Sequence, residues 1–384
     1  YAVGRALAGD RPVAFLQFAD FMPVAYNQIF SELASMYWRT DGSWQAPVIV
    51  MATCGGYRPG LGPFHASSME ALAAHTPGVD VFMPSTAADA AGLLNAAFES
   101  GRPTIFLYPK PLRNDRDNAA EAEARDLFVP PGKARFLRRG DDMTFVGWGN
   151  TLGLCLQAAA ALEAHGAASD VIDLRSVQPW DEEAVLRSAE KTGRLVVVHE
   201  DARTCGMGAE VAATVAEKAK RRVAMRRITR PDTWVPYNFE NQIEVLPSFK
   251  KVLEAAVGLL DGEIAWRAEA GSEAGIFVVE AVGSSPADES ISVIAWKVKP
   301  GDAVEAGMLL AEMEADKAAL ELNSPVSGTV EALLVEEGFS VKVGTPIMHI
   351  RTAEAGEEKV RKTVMKEEAG TPVITGLKLR RDET

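Results

Sequence analysis

Val293-Ile-Ala-Trp296-Lys-Val298-Lys-Pro-Gly301-Asp-Ala-Val304-Glu-Ala-Gly307 is followed, thirty-seven positions later, by Val330-Glu-Ala-Leu333-Leu-Val335-Glu-Glu-Gly338-Phe-Ser-Val341-Lys-Val-Gly344. Val293 falls on Val330, Trp296 on Leu333, Val298 on Val335, Gly301 on Gly338, Val304 on Val341 and Gly307 on Gly344. Each copy alternates apolar residues as a strand does, turns at a glycine and resumes as a second strand. Two such copies folded over each other make a small all-β sandwich, and the segment between them is expected as an exposed hairpin. Glu314-Ala315-Asp316-Lys317-Ala318 lies in that segment, so Lys317 is expected where covalent modification can reach it.

With Asp-Lys-Ala at the turn, Gly301 upstream and Gly328 downstream, residues Ile276–Thr352 resemble a lipoyl domain, which implies a lipoyl group on Lys317. The related biotinyl domains usually place methionines beside the lysine. Asp316 and Ala318 stand there instead, so lipoyl is expected rather than biotin. The segment holds five Lys/Arg against twelve Asp/Glu, a net charge of −7. Such a charge would steer it toward basic rims of partner sites.

Glu263–Gly275, upstream of the sandwich, reads as a thirteen-residue swing linker. Its span is ~45 Å fully extended and roughly 20 Å as a coil. Residues 353–384 are expected to be a linker or the start of a further domain, with a strand-like alternation over Pro372–Leu379.

Residues 1–112 alternate strand-like and helix-like runs, the pattern of a parallel α/β domain. Strands are expected at Arg11–Phe18, Pro47–Met51, Val79–Met83 and Thr104–Tyr108, with helices at Tyr26–Tyr37 and Ala87–Glu99. Residues 113–131 end in Pro-Pro and read as a linker. Residues 132–262 form a second α/β unit. Its strands are Met143–Val146, Ser169–Leu174 and Leu195–His199; its helices are Thr151–His165, Asp181–Thr192, Ala209–Ala219 and Leu246–Leu260. The fold class is therefore two parallel-sheet α/β domains followed by a small all-β sandwich. Gly147-Trp-Gly-Asn-Thr-Leu-Gly153 sits between a strand and a helix, but its spacing is one residue longer than a dinucleotide fingerprint. Tight strand-to-helix packing is the expected use of these glycines.

Composition narrows the function classes. A chain of 384 residues has room for two or three cores. No apolar run approaches the ~20 residues of a membrane span, no signal peptide is evident, and a cytoplasmic protein with no membrane partner is expected. The net charge of −13 argues against nonspecific nucleic-acid binding. Cys54, Cys155 and Cys205 are too few and too scattered for a disulfide framework or a zinc site, so reduced thiols are expected. The first residue is not methionine, and a further upstream segment is expected.

From Tyr1 to about Leu260 the chain resembles the beta subunits of the thiamine-diphosphate-dependent 2-oxo acid dehydrogenases. The motifs carrying this are Gln17-Phe-Ala-Asp-Phe21, His65-Ala-Ser-Ser-Met-Glu70, His75-Thr-Pro-Gly78, Met83-Pro-Ser85, Val146-Gly-Trp-Gly149, Val171-Ile-Asp-Leu-Arg175, Val198-His-Glu200 and Pro231-Asp-Thr233, in that order. The resemblance implies transketolase-like pyrimidine-binding and C-terminal domains. His65 matches the histidine that lines the channel to the thiamine and assists acyl transfer to lipoamide. An imidazole suits that task because it exchanges protons near neutrality. Phe21 matches the aromatic that packs on the aminopyrimidine ring, with Gln17 beside it. His75 and His199 match family histidines and are expected to serve structure or packing.

Three departures shape the expectation. The family's Glu that activates the aminopyrimidine would lie before Tyr1. The Gly-Asp-Gly…Asn pattern that holds magnesium and the diphosphate is not found here, so an alpha-type subunit or an upstream region is expected to supply it. Ser100 and Arg102 stand near the family's potassium ligands, so no potassium is expected, and no other metal is read from this chain. The implied activity is oxidative decarboxylation of a 2-oxo acid with reductive acylation of the lipoyl group on Lys317. The implied partners are the alpha-type subunit, in a heterotetramer or dimer, and the acyltransferase and dihydrolipoyl dehydrogenase components. The rival readings are a non-catalytic lipoyl-carrier scaffold and a thiamine enzyme of transketolase or acetoin-cleaving type.

Overall fold

β1 (Val13–Leu16), β2 (Ile49–Cys54), β3 (Asp80–Phe82) and β4 (Thr104–Pro109) pair in parallel in the order β1-β2-β4-β3. β2 and β4 are buried along nearly their whole length, as strands covered on both faces must be. The chain continues through β5 (Arg135–Arg138), β6 (Met143–Gly147), β7 (Ser169–Asp173), β8 (Ser176–Gln178), β9 (Arg194–Ala202) and β10 (Ala224–Arg230). The second sheet runs β10-β9-β6-β7-β5, parallel except where β5 opposes β7. β8 crosses to the first sheet and pairs antiparallel with β3. One apolar core follows from this exchange. It joins Val50, Val81 and Met83 of the first unit to Val146, Trp148, Ile172 and Leu174 of the second.

This computed structural model describes all residues except 115–117, 121–122, 267–275, 282–289, 316–317, 344, 353–373 and 380–384, so Lys317 lies outside the described residues. Helix starts and stops follow local chemistry. Thr86 accepts the Asp89 N–H at the start of helix Ala87–Ser100, which ends at Gly101 in the left-handed region. The helical run read over Tyr26–Tyr37 contains a π-helical turn at Gln28–Ala34, between Met22–Asn27 and Met36–Arg39.

Two linker expectations are corrected. Part of 113–131 is packed: Val129 is buried, and the Asn95 amide donates to the Ala124 and Leu127 carbonyls at 2.8 Å. Residues Glu263–Trp266, read as the start of a swing linker, form β11.

The sandwich comprises β12 (Ile276–Glu280), β13 (Ser290–Trp296), β14 (Ala303–Val304), β15 (Leu309–Ala315), β16 (Ala318–Asn323), β17 (Gly328–Leu333), β18 (Ser340–Lys342) and β19 (Pro346–Arg351). They form two antiparallel sheets, β12-β19-β17-β14 and β16-β15-β13-β18. The repeat explains the pairing. β13 with β15 corresponds to β17 with β19, while β14 and β18 each cross to the other half's sheet. Even single hydrogen bonds recur: Gly301 N–H donates to the Val330 carbonyl, and Gly338 N–H to the Val293 carbonyl, both at 2.7 Å. Leu310 and Met313 in the core are matched by Ile347 and Ile350. β15 and β16 pair up to Ala315 opposite Ala318, so Asp316 and Lys317 connect them in sequence. A last strand, β20 (Ile374–Lys378), pairs with β11.

Gly301 and Gly338 both have positive φ, at 95° and 82°, with open space where a Cβ would stand. Gly301→Ala and Gly338→Ala should therefore each cost about 1–2 kcal/mol from backbone conformation alone. Amide exchange in β13 and β17 should accelerate roughly 5- to 30-fold in either variant. Markedly unequal effects would show that the two halves are not energetically equivalent.

Candidate functional site

The carboxyl ends of β1, β2 and β4 lie side by side, the edge at which open parallel sheets gather their ligand-binding loops. Phe18 and Phe21 follow β1, the glycine loop ending at His65 follows β2, and Lys110 follows β4. The structure brings three rings together there. Phe18 meets His65 edge-on at 4.4 Å between centroids, Phe21 lies 5.8 Å from His65, and the two phenylalanines are 5.6 Å apart. Phe21 is 38% exposed and leaves ring surface open. Gln17 is exposed, and its carbonyl accepts the Thr53 hydroxyl. His65 Nδ1 lies 3.1 Å from the Leu61 carbonyl. A carbonyl can only accept, so Nδ1 is the donor in this contact and Nε2 is left outside it.

The loops are tied to each other and to the second unit. Asp20 accepts the Ser67 N–H at 3.1 Å, joining the Phe21 turn to the His65 stretch, and burial raises its pKa. Glu200, at the end of β9, accepts the Gly56 N–H at 2.8 Å and the Asn150 amide at 2.6 Å. Tyr57 donates to the Pro247 carbonyl at 2.8 Å, and Leu61, Ala66 and Val235 form a small apolar cluster. A Cβ on Gly62 would stand 2.4 Å from the Tyr237 ring, so only glycine fits.

Behind the rings sits Lys110. It is 6% exposed, its Nζ lies 5.2 Å from the Phe18 centroid, and it has no hydrogen-bond partner among the described residues. Burial lowers its pKa, opposed by the nearby Cys54, Asp20 and Glu200. Sequence reasoning assigned no role to Lys110, Phe18 or Asp20. The available signal was their position just past the ends of strands.

His199 and His75 are not part of the ring cluster. His199 is fully buried, stacks on Trp148 at 5.2 Å and accepts the Gly208 N–H at Nε2. Its Nδ1–H therefore faces Glu70 Oε1, 3.5 Å away. Burial lowers the His199 pKa and pushes Glu70 up to about 7, so the pair resists charging. His75 closes helix Glu70–Ala74 at the surface. Arg102, read as incompatible with a cation, places its guanidinium on Asp80 at 2.9–3.0 Å. Two of the glycines of 147–153 serve packing: a Cβ on Gly147 would press Cys155 Sγ at 3.0 Å, and one on Gly149 would meet Met83 at 2.7 Å, whereas one on Gly153 would meet open space.

The open face of Phe21, flanked by Phe18 and His65, fits a flat heteroaromatic ring. Among the described residues no group of three His, Cys, Asp or Glu side chains is gathered as a metal site, and no helix is long and apolar enough to cross a membrane.

Comparison with known proteins gives three family matches: "Transketolase, pyrimidine binding domain" over residues 1–115, "Transketolase, C-terminal domain" over 132–252, and "Biotin-requiring enzyme" over 280–350. The 2-oxoisovalerate dehydrogenase subunit beta of Bacillus subtilis is 42% identical over 56% of this chain and 65% of its own length. The chain thus spans just under two thirds of that relative. The pyruvate dehydrogenase E1 component subunit beta of the same organism is 36% identical over 68% of this chain and 79% of its own. A solved structure titled "Split gene transketolase, inactive beta4 tetramer" superposes with a TM-score of 0.56 at 26% identity, over 68% of this chain and 80% of that one.

Glu200 is pushed up to about 7 chiefly by burial, with the Gly56 and Asn150 hydrogen bonds opposing the rise. A folded-state pKa raised above the unfolded value of 4.5 gives stability that is complete below pH 4.5 and lost as pH climbs through about 7. The loss is on the order of 3 kcal/mol for the fully buried group. Asn150 Oδ1 has no partner, so a flipped Asn150 amide can receive the new NH₂ of Glu200→Gln. The variant should therefore melt above wild type at pH 8, with the gap closing toward pH 5. Parallel melting curves across that range would show that Glu200 does not titrate there.

Proposed function

The chain belongs to the beta-subunit family of the 2-oxo acid dehydrogenases, and from that premise we propose that it forms the pyrimidine-side half of a thiamine-diphosphate site and carries, on Lys317, the lipoyl group which that site loads. The observation behind this reading is covalent. One polypeptide joins the His65, Phe18 and Phe21 ring cluster to a sandwich of the biotin and lipoyl family. Tethering a carrier to its donor replaces a bimolecular encounter with an effective concentration set by linker length.

Thiamine diphosphate, when bound, supplies the electron sink for decarboxylating a 2-oxo acid. Phe21 and Phe18 would hold its flat ring, with Gln17 beside them at the mouth. His65, its Nδ1–H held on the Leu61 carbonyl, would as an imidazolium give its Nε2 proton to the lipoyl sulfur that leaves as the acyl group arrives. Lys110 adds positive charge behind Phe18. An alpha-type partner would contribute the magnesium and diphosphate contacts, giving a heterotetramer or dimer. The neighbouring split-gene transketolase, an inactive beta4 tetramer, fits a chain that needs such a partner. Acyltransferase and dihydrolipoyl dehydrogenase components would then take up the acyl group and reoxidise the arm, in the cytoplasm. The substrate is a 2-oxo acid of the class for which the two relatives are named.

With a lipoyl ligase and lipoate, the intact mass should rise by one lipoyl group per chain, and Lys317→Arg should abolish the gain. An unmodified wild type, or an equally modified variant, would remove the carrier assignment. In the presence of an alpha partner, His65→Ala should slow acylation of the lipoyl arm by about 10²-fold or more. Decarboxylation with an artificial electron acceptor should change far less. Equal losses in both assays would move His65 from acyl transfer to cofactor binding, and no activity in wild type would favour a carrier scaffold.

A further inference from the structure

β11 and β20 lie on either side of the sandwich in sequence yet pair with each other. The register sets Glu263 opposite Lys378, Ile264 opposite Leu377, Ala265 opposite Gly376 and Trp266 opposite Ile374. A two-stranded sheet is marginal alone in water and needs an apolar face to rest on. Here Ile264, Trp266, Ile374, Leu377 and Leu379 all pack on the core of the second α/β unit. Trp266 is fixed most firmly. Its ring meets Phe249 edge-on at 6.0 Å, and its Nε1–H donates to Glu254 at 2.9 Å. The strands approach so closely that a Cβ on Gly262 would stand 2.6 Å from the Lys378 carbonyl.

We propose that the pairing of Ile374–Lys378 with β11 against helix Phe249–Leu259 works as a latch on the carrier sandwich, which is looped out of the second α/β unit and anchored at both ends. This changes the reach of the arm. Between Trp266 and Ile276 there are ten residue steps, a limit of roughly 35 Å. β11 has no other strand partner among the described residues. Without β20, β11 keeps only its packing on helix Phe249–Leu259; once that gives way the tether starts at Leu260, sixteen steps from Ile276, and extends to roughly 55 Å. The return limb from Thr352 to Ile374 has twenty-two steps and does not limit the domain. β20 is thus a latch that keeps the short limb short, holding the carrier near its own chain's donor site. That last consequence rests on the function proposed above; the docking itself does not.

The test uses the full chain with Cys205→Ser, which removes the one exposed cysteine among the described residues. A Cβ placed on Gly376 stands 3.8 Å from the Ala265 Cβ, the separation a disulfide requires. Ala265→Cys with Gly376→Cys, exposed to oxidised glutathione, should form a bond within one chain, seen as a loss of two hydrogens from a species with the mass of a single chain. No bond overturns the proposal. A covalent dimer also overturns it, because the strand would then come from a second copy. Independently, Leu377→Asp should raise exchange of those β11 amides that bond to β20 by at least tenfold while leaving β6, β7 and β9 protected; unaltered exchange would refute the latch. These readouts need no lipoylation, so failure of the carrier assignment and failure of the docking are separately visible.

Discussion

The hydrogen bond from Gly56 N–H to the Glu200 carboxyl is the constraint on which the candidate site depends. Gly56 opens the loop that ends at His65, and Glu200 closes a strand of the other sheet. A glycine-rich loop has many conformations open to it, and its own domain gives it few anchors. The second unit supplies them through Glu200, the Pro247 carbonyl, Tyr237 and Val235. His65 therefore belongs to the first unit by sequence and to the second by position. The shared core and the migration of β8 serve the same end, because independent motion of the two units would move the imidazole away from Phe18 and Phe21.

The chemistry of the seam follows from its dryness. Glu70, His199, Glu200 and Asp201 are all buried there, and full ionisation of four such groups would be opposed by desolvation and by repulsion among the carboxylates. The observed arrangement lowers the charge instead. Burial raises the acids and lowers the imidazole, so Glu70 and His199 meet as near-neutral partners. Trp148 closes the arrangement, stacking on His199 while its indole N–H points to Glu70 at 3.3 Å. Lys110 is different in kind. It is a buried cation with no hydrogen-bonding partner, facing the rings rather than the seam.

The parts of this architecture that repeat or alternate were readable from the chain alone. Parallel strands announced themselves as apolar runs, and the sandwich through its thirty-seven-residue shift, down to equivalent hydrogen bonds. The rings of His65 and Phe21 were legible through motif resemblance, and the structure adds Phe18 beside both. What was not legible depends on contacts distant in sequence. β8 is a three-residue strand whose partner lies almost a hundred positions earlier, and no local pattern shows which sheet it joins. Glu263–Trp266 reads as linker because its polar and apolar residues alternate in only four positions; its strand character comes from Ile374–Lys378. Lys110 escaped because a lysine between two prolines looks like a surface turn until Phe18 and Cys54 close around it.

The two ends of the chain impose opposite requirements. In the proposed function a carrier must move, and a half-site must hold its loops still. Each requirement is met by a different source of order. The site is ordered by cross-domain contacts, where Glu200 and Tyr237 leave the glycine loop few alternatives. The sandwich is ordered by itself: its halves complete each other's sheets, and its core of Leu310, Met313, Ile347 and Ile350 draws on no described residue outside 276–351. A self-sufficient core allows a domain to be inserted between β11 and β20 without disturbing the sheet that hosts it. With the latch proposed above, the insertion point sets how far the sandwich can travel, through the pairing of two short strands rather than through the length of the polypeptide between them.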